Sequence, residues 1–454
     1  MNVLFVRPRP DPETIGLQHV MLVEPLELEE MAALLPPLCT PVLIDMTLEK
    51  HDINYFLKKY RPHMVCVTGY ITNVPEMKRI CREAKRFNPA CTTVVGGVHV
   101  EVLPEDLMDA AVDFRVVRNA VTVFPRLVEH VLGHGPVPTG VLTTWENIAS
   151  EALPPYEFAW VKPRRELNRP YRDRYFYIFH DRVALVKSAF GCPFSCNFCF
   201  CRQITGDRFH ARPIEDVLDE LMEIEQTEIY IVDDDFLVSR ARIEAFCDGL
   251  QQRGIRKRYL VYGRSDFIVK NPDLIARFAK LGLRTVIVGL ESFDAQELAS
   301  YDKGTDPYTN EEAIHILHSH QVDCYATLIL NPDWSHEDFD FLRKKLVELD
   351  IRYVNLQPLT PLPGTGLTVD PSRMLVHRSD YVKWDLAHVM VRPSKMSVQA
   401  YYREIIRSYE TVLYRPSVLK SHLQYSPTML WKMLKGTAAV YRQYVQKMRE
   451  ARNA

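Results

Sequence analysis

Short apolar runs alternate with amphipathic helical stretches twice along this chain, and that alternation restricts its folds more than any other feature. In the first 130 residues the runs are NVLFVRP (2–8), TPVLIDM (40–46), HMVCVTG (63–69), CTTVVGG (91–97) and DFRVV (113–117). Helical patterns separate them at 25–38, 52–60, 76–87 and 104–110. Most runs are continuous blocks of Val, Ile, Leu, Phe and Cys, the pattern of parallel strands covered by helices on both faces. The alternation predicts a doubly wound, Rossmann-like domain over residues 1–134.

The segment 135–183 is rich in Pro, Gly and aromatic residues and reads as a connector packed on the surface. Alternation then resumes with ALVKSA (184–189), EIYIVDD (228–234), RYLVYGR (258–264), TVIVGLE (285–291), ATLILN (326–331) and YVNLQPL (353–359). These six units, with helical patterns between them, predict a partial (β/α)6 barrel over 184–370. Residues 371–454 read as a helical, aromatic-rich C-terminal region.

A chain of 454 residues has room for two or three such domains. Its net charge of −2 excludes a globally basic nucleic-acid binder, so no nucleic-acid partner is expected. The first apolar run meets Arg7 and Arg9 at once, and no stretch reaches the roughly 18 apolar residues of a membrane span. Most of the other cysteines are scattered, as reduced thiols are in a cytosol, and a cytoplasmic location is the expectation.

Four of the ten cysteines fall within GCPFSCNFCFC (191–201), directly after the first strand of the second region. Cys192, Cys196 and Cys199 have the spacing C-x3-C-x2-C. Three thiolates on one loop can hold three irons of a [4Fe–4S] cubane and leave the fourth open for a cofactor or substrate. Structural zinc usually takes four ligands in paired C-x2-C form, and no second pair accompanies this one. Cys201 reads as a packed core cysteine.

With Phe198 before the last cysteine, this loop resembles that of the radical S-adenosylmethionine superfamily. The resemblance implies a [4Fe–4S] cluster on the three cysteines and S-adenosylmethionine chelating the open iron. It further implies an external one-electron reductant of flavodoxin or ferredoxin type, and cleavage of the cofactor to a 5′-deoxyadenosyl radical. YIVDDDF (230–236) stands where the family contacts the cofactor's amino group, which makes Asp233, Asp234 and Asp235 candidates. YGRSDF (262–267) resembles the strand whose Arg264 and Ser265 approach the carboxylate and ribose, and VGLESFD (288–294) the one that places Glu291 and Ser292 near the ribose. YDKGT (301–305) and LTPLPGTGL (359–367) also resemble family segments. LILNPDW (328–334) departs from the pattern and puts the adenine contact in doubt.

The N-terminal half resembles the cobalamin-binding-like domain of one large subfamily, through PLELEEMAALL (25–35), LIDMT (43–47), VTGYITNVPEMKRI (67–80) and VVGGVHVEVLPE (94–105). Thr68, Tyr70, Gly96, Gly97 and His99 are the residues expected to meet cobalamin. Glycine lets a flat macrocycle approach the backbone, and Thr68 and Tyr70 end a strand at the expected switch point. The chain has no D-x-H-x-x-G, and RNAV (118–121) replaces an acidic-glycine segment. Arg118 then reads as a phosphate or propionamide contact, or as the mark of a domain that has lost its ligand.

From Thr411 onward eight Lys and Arg stand against one acid, Glu450. Such a tail suits peripheral contact with an anionic membrane, or a helical lid with a solvated basic face. The leading functional reading is cobalamin-dependent radical methylation of an unactivated carbon in a small molecule, lipid or peptide. The alternatives are radical ring formation, contraction or oxidation without methyl transfer, and a non-catalytic iron–sulfur electron-transfer protein.

Overall fold

The computed structural model describes residues 1–16, 19–147, 152–422 and 425–453. Residues 148–151, inside the expected connector, lie outside the described residues, as do 17–18, 423–424 and 454. The N-terminal strands are β1 (Asn2–Arg7), β2 (Met21–Leu22), β3 (Thr40–Asp45), β4 (Met64–Thr68), β5 (Thr92–Gly96), β6 (Phe114–Val116) and β7 (Val141–Thr143). Six of them form one sheet in the order β3-β1-β4-β5-β6-β7. All its pairings are parallel except the last. The strand order reverses between β1 and β4, and Thr68 at the end of β4 lies opposite Gly96 at the end of β5. The apolar runs are buried because the sheet is covered twice. One face packs on the helices Ile53–Tyr60 and Val74–Phe87 through Phe56, Met77 and Ile80. The other packs on Leu26–Ala33 and Ala120–Val131 through Phe5, Leu28 and Phe124. Each fully buried Phe or Leu contributes about 2–3 kcal/mol.

Between the domains come β8 (Phe176–Tyr177) and β9 (His180–Asp181), which form a small sheet with β2. The second domain is built on β10 (Ala184–Val186), a short antiparallel pair β11 (Ala189–Phe190) and β12 (His210–Ala211), then β13 (Glu228–Ile231), β14 (Arg258–Gly263), β15 (Leu283–Glu291), β16 (Asp323–Leu330) and β17 (Tyr353–Pro358). A six-stranded, wholly parallel sheet runs β10-β13-β14-β15-β16-β17, the expected partial barrel. The long helices Val398–Leu413 and Pro427–Asn453 pack on each other beside β17.

Three expectations are corrected. Residues 135–183 are no surface connector: Tyr171, Tyr175 and Tyr177 are buried in the core shared by both domains, and β7 is an edge strand of the first sheet. Residues 104–110 form a 3-10 turn, Pro104–Leu107, because Asp109 accepts from the Ala111 amide (3.0 Å) and closes a local turn in place of a helix. Finally, residues 371–397 contain 3-10 turns and loops around a small core of Trp384, Met390 and Val391, and regular helix begins at Val398.

Candidate active site

The cysteine loop leaves the top of the barrel after β10 and β11. Gly191 starts it at φ +77°, and a Cβ there would collide with the Arg208 carbonyl, so glycine is required at this point. Asn197 fixes the middle of the loop: its Nδ2 donates to the Ser300 carbonyl (2.7 Å) and its amide to that of Tyr301 (3.2 Å). Cys196 is buried, and Cys192 and Cys199 are partly so. Among the described residues, no three His, Cys, Asp or Glu side chains close around a single ion's position; the three thiols are spread along the loop. Cys201 is buried, and its Sγ lies 3.3 Å from Asp234 Oδ1.

The three aspartates after β13 divide the work. Asp233 takes the Ser188 and Ala189 amides (2.6 and 2.9 Å) and the Ser188 hydroxyl (2.5 Å), clamping β10 to β13. Asp234 accepts from the Gly191 amide (3.0 Å) and so holds the cysteine loop. Asp235 takes the Leu237 amide on Oδ1 (3.1 Å), while its buried Oδ2 has no partner. Burial pushes this carboxyl up to about 7, against the pull of Arg264 and Lys303.

Arg264 is the hub. Its guanidinium lies 3.7 Å from the Phe194 ring centroid, donates to Asp266 (2.9 Å) and the Lys303 carbonyl (2.8 Å), and sets Nη1 3.8 Å from Cys196 Sγ. Lys303 Nζ pairs with Glu291 at 3.0 Å, both side chains being less than a tenth exposed. Burial pushes the Cys196 thiol up, while Lys303 and Arg264 pull it back toward thiolate. Glu291 adopts φ +61° at a bulge in β15, a left-handed conformation that costs a non-glycine residue of order 1–2 kcal/mol. Phe198 packs edge-on against Tyr301, with Lys303 Nζ 5.9 Å from its ring centroid.

Two expected contacts point elsewhere. Ser292 Oγ donates to Glu297 (2.5 Å) and Ser265 Oγ to Asn310 (2.8 Å), so both hydroxyls are spent inside the scaffold. Asn310, wholly buried, donates to the carbonyls of Leu290 and Ser292 and holds the turn that carries Glu291. Asn331, in the segment that departs from the family pattern, also turns to Glu297 (2.9 Å). Lys303 and Asn310 were missed as site residues. The K-G of YDKGT was the one sequence signal for the first, and nothing in the sequence marks the second.

On the facing domain, Thr68, Gly96 and Gly97 come together at the ends of β4 and β5. Gly97 has φ +102°, and a Cβ there would stand 2.7 Å from Thr68 Oγ1. Tyr70, just past the end of β4, is 62% exposed. The two domains meet beside these strand ends, where the helix Val98–Val102, directly after Gly97, lies against the short helix Cys201–Thr205 that ends the cysteine loop. His99 is buried instead, its Nε2 held by Asp106 (2.9 Å), which also binds Arg378 (3.0 Å) and Tyr381 (3.1 Å). Arg118 lies 3.8 Å over the Tyr156 ring and donates to the Pro154 carbonyl (3.1 Å). It joins the two domains through the connector, in place of the phosphate or propionamide contact expected.

Residues 22–128 match the B12 binding domain family and residues 186–346 the Radical SAM superfamily. The bacteriochlorophyllide d C-12(1)-methyltransferase of Chlorobaculum tepidum is 24% identical over 80% of this chain and 77% of its own length. In structure, the radical S-adenosylmethionine methyltransferase TsrM from Kitasatospora setae superposes with a TM-score of 0.61 at 19% identity, over 78% of this chain and 72% of that one. The hopanoid C-3 methylase of Methylococcus capsulatus is 30% identical over 428 residues, which are 91% of this chain and 80% of that protein. The chain therefore belongs to the B12-binding radical S-adenosylmethionine enzymes that include this methylase.

Proposed function

We propose that the chain methylates an unactivated carbon of an apolar, hopanoid-like lipid, using a [4Fe–4S] cluster on Cys192, Cys196 and Cys199, S-adenosylmethionine and cobalamin. The observation that carries this reading is the meeting of the two domains at their strand ends, where the helix Val98–Val102 after Gly97 lies against the helix Cys201–Thr205 that closes the cysteine loop. A methyl donor held on one side and a radical source on the other would share one substrate there. The residues present suit both groups. The unpaired Asp235 oxygen suits an ammonium, the Arg264 and Lys303 cations suit a carboxylate, and Gly97, whose Cβ position lies against Thr68 Oγ1, lets the ends of β4 and β5 close up into a surface without side-chain bulk that suits a flat ring. When bound, the cluster and S-adenosylmethionine supply a hydrogen-abstracting radical, and cobalamin supplies the methyl group.

The chain's own part is placement and exclusion of water. Arg264 and Lys303 hold positive charge beside Cys196, and Glu291 fixes Lys303. Tyr230 and Tyr262, with ring centroids 6.1 Å apart, belong to the apolar core that both domains share beneath the barrel mouth. The hopanoid class follows the 30% identical relative, whose name states that substrate. The test is anaerobic turnover of a purified hopanoid with S-adenosylmethionine bearing a CD3 methyl. The expected product carries one CD3 in place of hydrogen, together with 5′-deoxyadenosine. A product formed without label would move the reading to ring formation or oxidation; no 5′-deoxyadenosine from iron-replete protein would end it.

A further inference from the structure

The helix Pro427–Asn453 packs on the helix Val398–Leu413 and, through Gly436 and Gln443, on His19 and Thr14, and turns its remaining side to solvent. On the outer side Trp431 and Leu434, three residues apart, are 68% and 65% exposed, and Tyr441 continues the same face two turns on. Tyr441 Oη donates to Glu410 (3.1 Å), which brings its ring to the end of the neighbouring helix, where Tyr414 is also exposed. The short helix Pro416–His422 adds exposed Leu419 beside Lys420. Single exposed apolar residues are ordinary, whereas large ones gathered on one face mark an interaction surface.

The charges around them are only partly matched. Lys432 is taken by Asp181 (2.8 Å), Lys447 by Glu450 (3.0 Å) and Arg415 by the Leu346 carbonyl (3.0 Å). Lys420 and Lys435 have no acidic partner among the described residues, and Arg442 bonds to the Ala438 carbonyl of its own helix (3.0 Å). A face that combines Trp and Leu with unpaired cations complements a surface that is apolar beneath and anionic above. A second copy of this chain fits less well, since a symmetric contact would set these cations against themselves. No described helix is long and apolar enough to cross a membrane, so contact on this face lies along the surface.

We infer that this C-terminal face docks on an anionic lipid bilayer, with Trp431 and Leu434 at headgroup level and Lys420, Lys435 and Arg442 against the lipid phosphates. The experiment uses the full, iron-loaded chain, sedimented with phosphatidylcholine vesicles with or without phosphatidylglycerol. The chain should pellet with the anionic vesicles at low salt and be released as salt shortens the Debye length. Trp431→Glu with Leu434→Glu should weaken binding at least tenfold. Lys420→Glu, Lys435→Glu and Arg442→Glu together should weaken it further, about fivefold for each lost cation. Both variants should keep the wild-type far-UV spectrum and form 5′-deoxyadenosine at the wild-type rate in vesicle-free buffer. No dependence on anionic lipid, or equal binding by wild type and both variants, would overturn the inference. So would a dimer that Trp431→Glu with Leu434→Glu converts to monomer without any lipid binding, which would give the face to a second copy.

Discussion

On the barrel side of the domain boundary, the polar atoms are largely committed before any ligand arrives. Asp233 and Asp234 are bonded to the loop they support, Arg264 holds three neighbours, and Lys303 is locked to Glu291. On the N-terminal side, the ends of β4 and β5 offer a glycine pair, a threonine and an open tyrosine ring, with the charged groups withdrawn into other contacts. The difference follows ligand chemistry. A small zwitterion must be met charge by charge in fixed positions, and desolvating those charges requires a prebuilt network. A large, flat, mostly uncharged ring needs area and clearance, which glycine supplies by leaving space.

The largest expected effect separates the two sides outright. Cys196→Ala should abolish iron retention and 5′-deoxyadenosine formation while leaving hydroxocobalamin binding intact, as read by iron analysis and optical spectra after gel filtration. Joint loss of iron and corrinoid would show that the two sides are not independent. Next, Lys303→Met strands the buried Glu291 carboxylate and should cost about 3–5 kcal/mol in urea unfolding. Adding Glu291→Gln should restore most of that stability but not cofactor binding; if the double variant binds S-adenosylmethionine normally, the pair is a structural prop alone. On the other side, Gly97→Leu should remove corrinoid binding with iron content unchanged, at a strain cost of about 1–2 kcal/mol. Retention of cobalamin by this variant would deny the glycine surface its role.

The smallest effect concerns the helix Leu26–Ala33 on the N-terminal side. Burial, with Glu220 and Glu27 nearby, raises the Glu30 carboxyl to about 8. Its folded value lies above the ordinary 4.5, so the folded chain holds a proton that the unfolded chain releases. Stability should then decline as pH rises from about 5 to 8. Glu30→Gln should flatten that part of the profile; an unchanged slope across the interval would remove Glu30 as its source.

The doubly wound first domain and the barrel were legible because buried parallel strands write continuous apolar runs, and strand ends could be placed to within a few residues. Motif spacing likewise brought Cys192, Cys196, Cys199, Arg264 and Glu291 to one end of the barrel. Motifs give backbone position, however, and not side-chain direction. Ser265 and Ser292 stand where expected while their hydroxyls bond inward, and the choice among Asp233, Asp234 and Asp235 depended on which carboxylate oxygen was left over. His99 and Arg118 were misjudged because their partners, Asp106 with Tyr381 and the Pro154–Tyr156 stretch, are brought beside them by local turns and tertiary packing, which periodicity does not record. Asn168, buried between Glu24 and Glu29, was invisible for the same reason.

That last contact bears on how the gene can be cut and recombined. Glu24 and Glu29 rely on Asn168 and Arg165, and the apolar face of β1 relies on Tyr171, Tyr175 and Tyr177, all of them more than thirty residues past the end of the first domain's last long helix. A fragment stopped at residue 134 would carry two stranded acids and a bared sheet, and should precipitate rather than behave as a free-standing module. Transplanting this cobalamin-type half onto a foreign barrel therefore calls for a splice after Tyr177, so that the segment sealing the sheet travels with it.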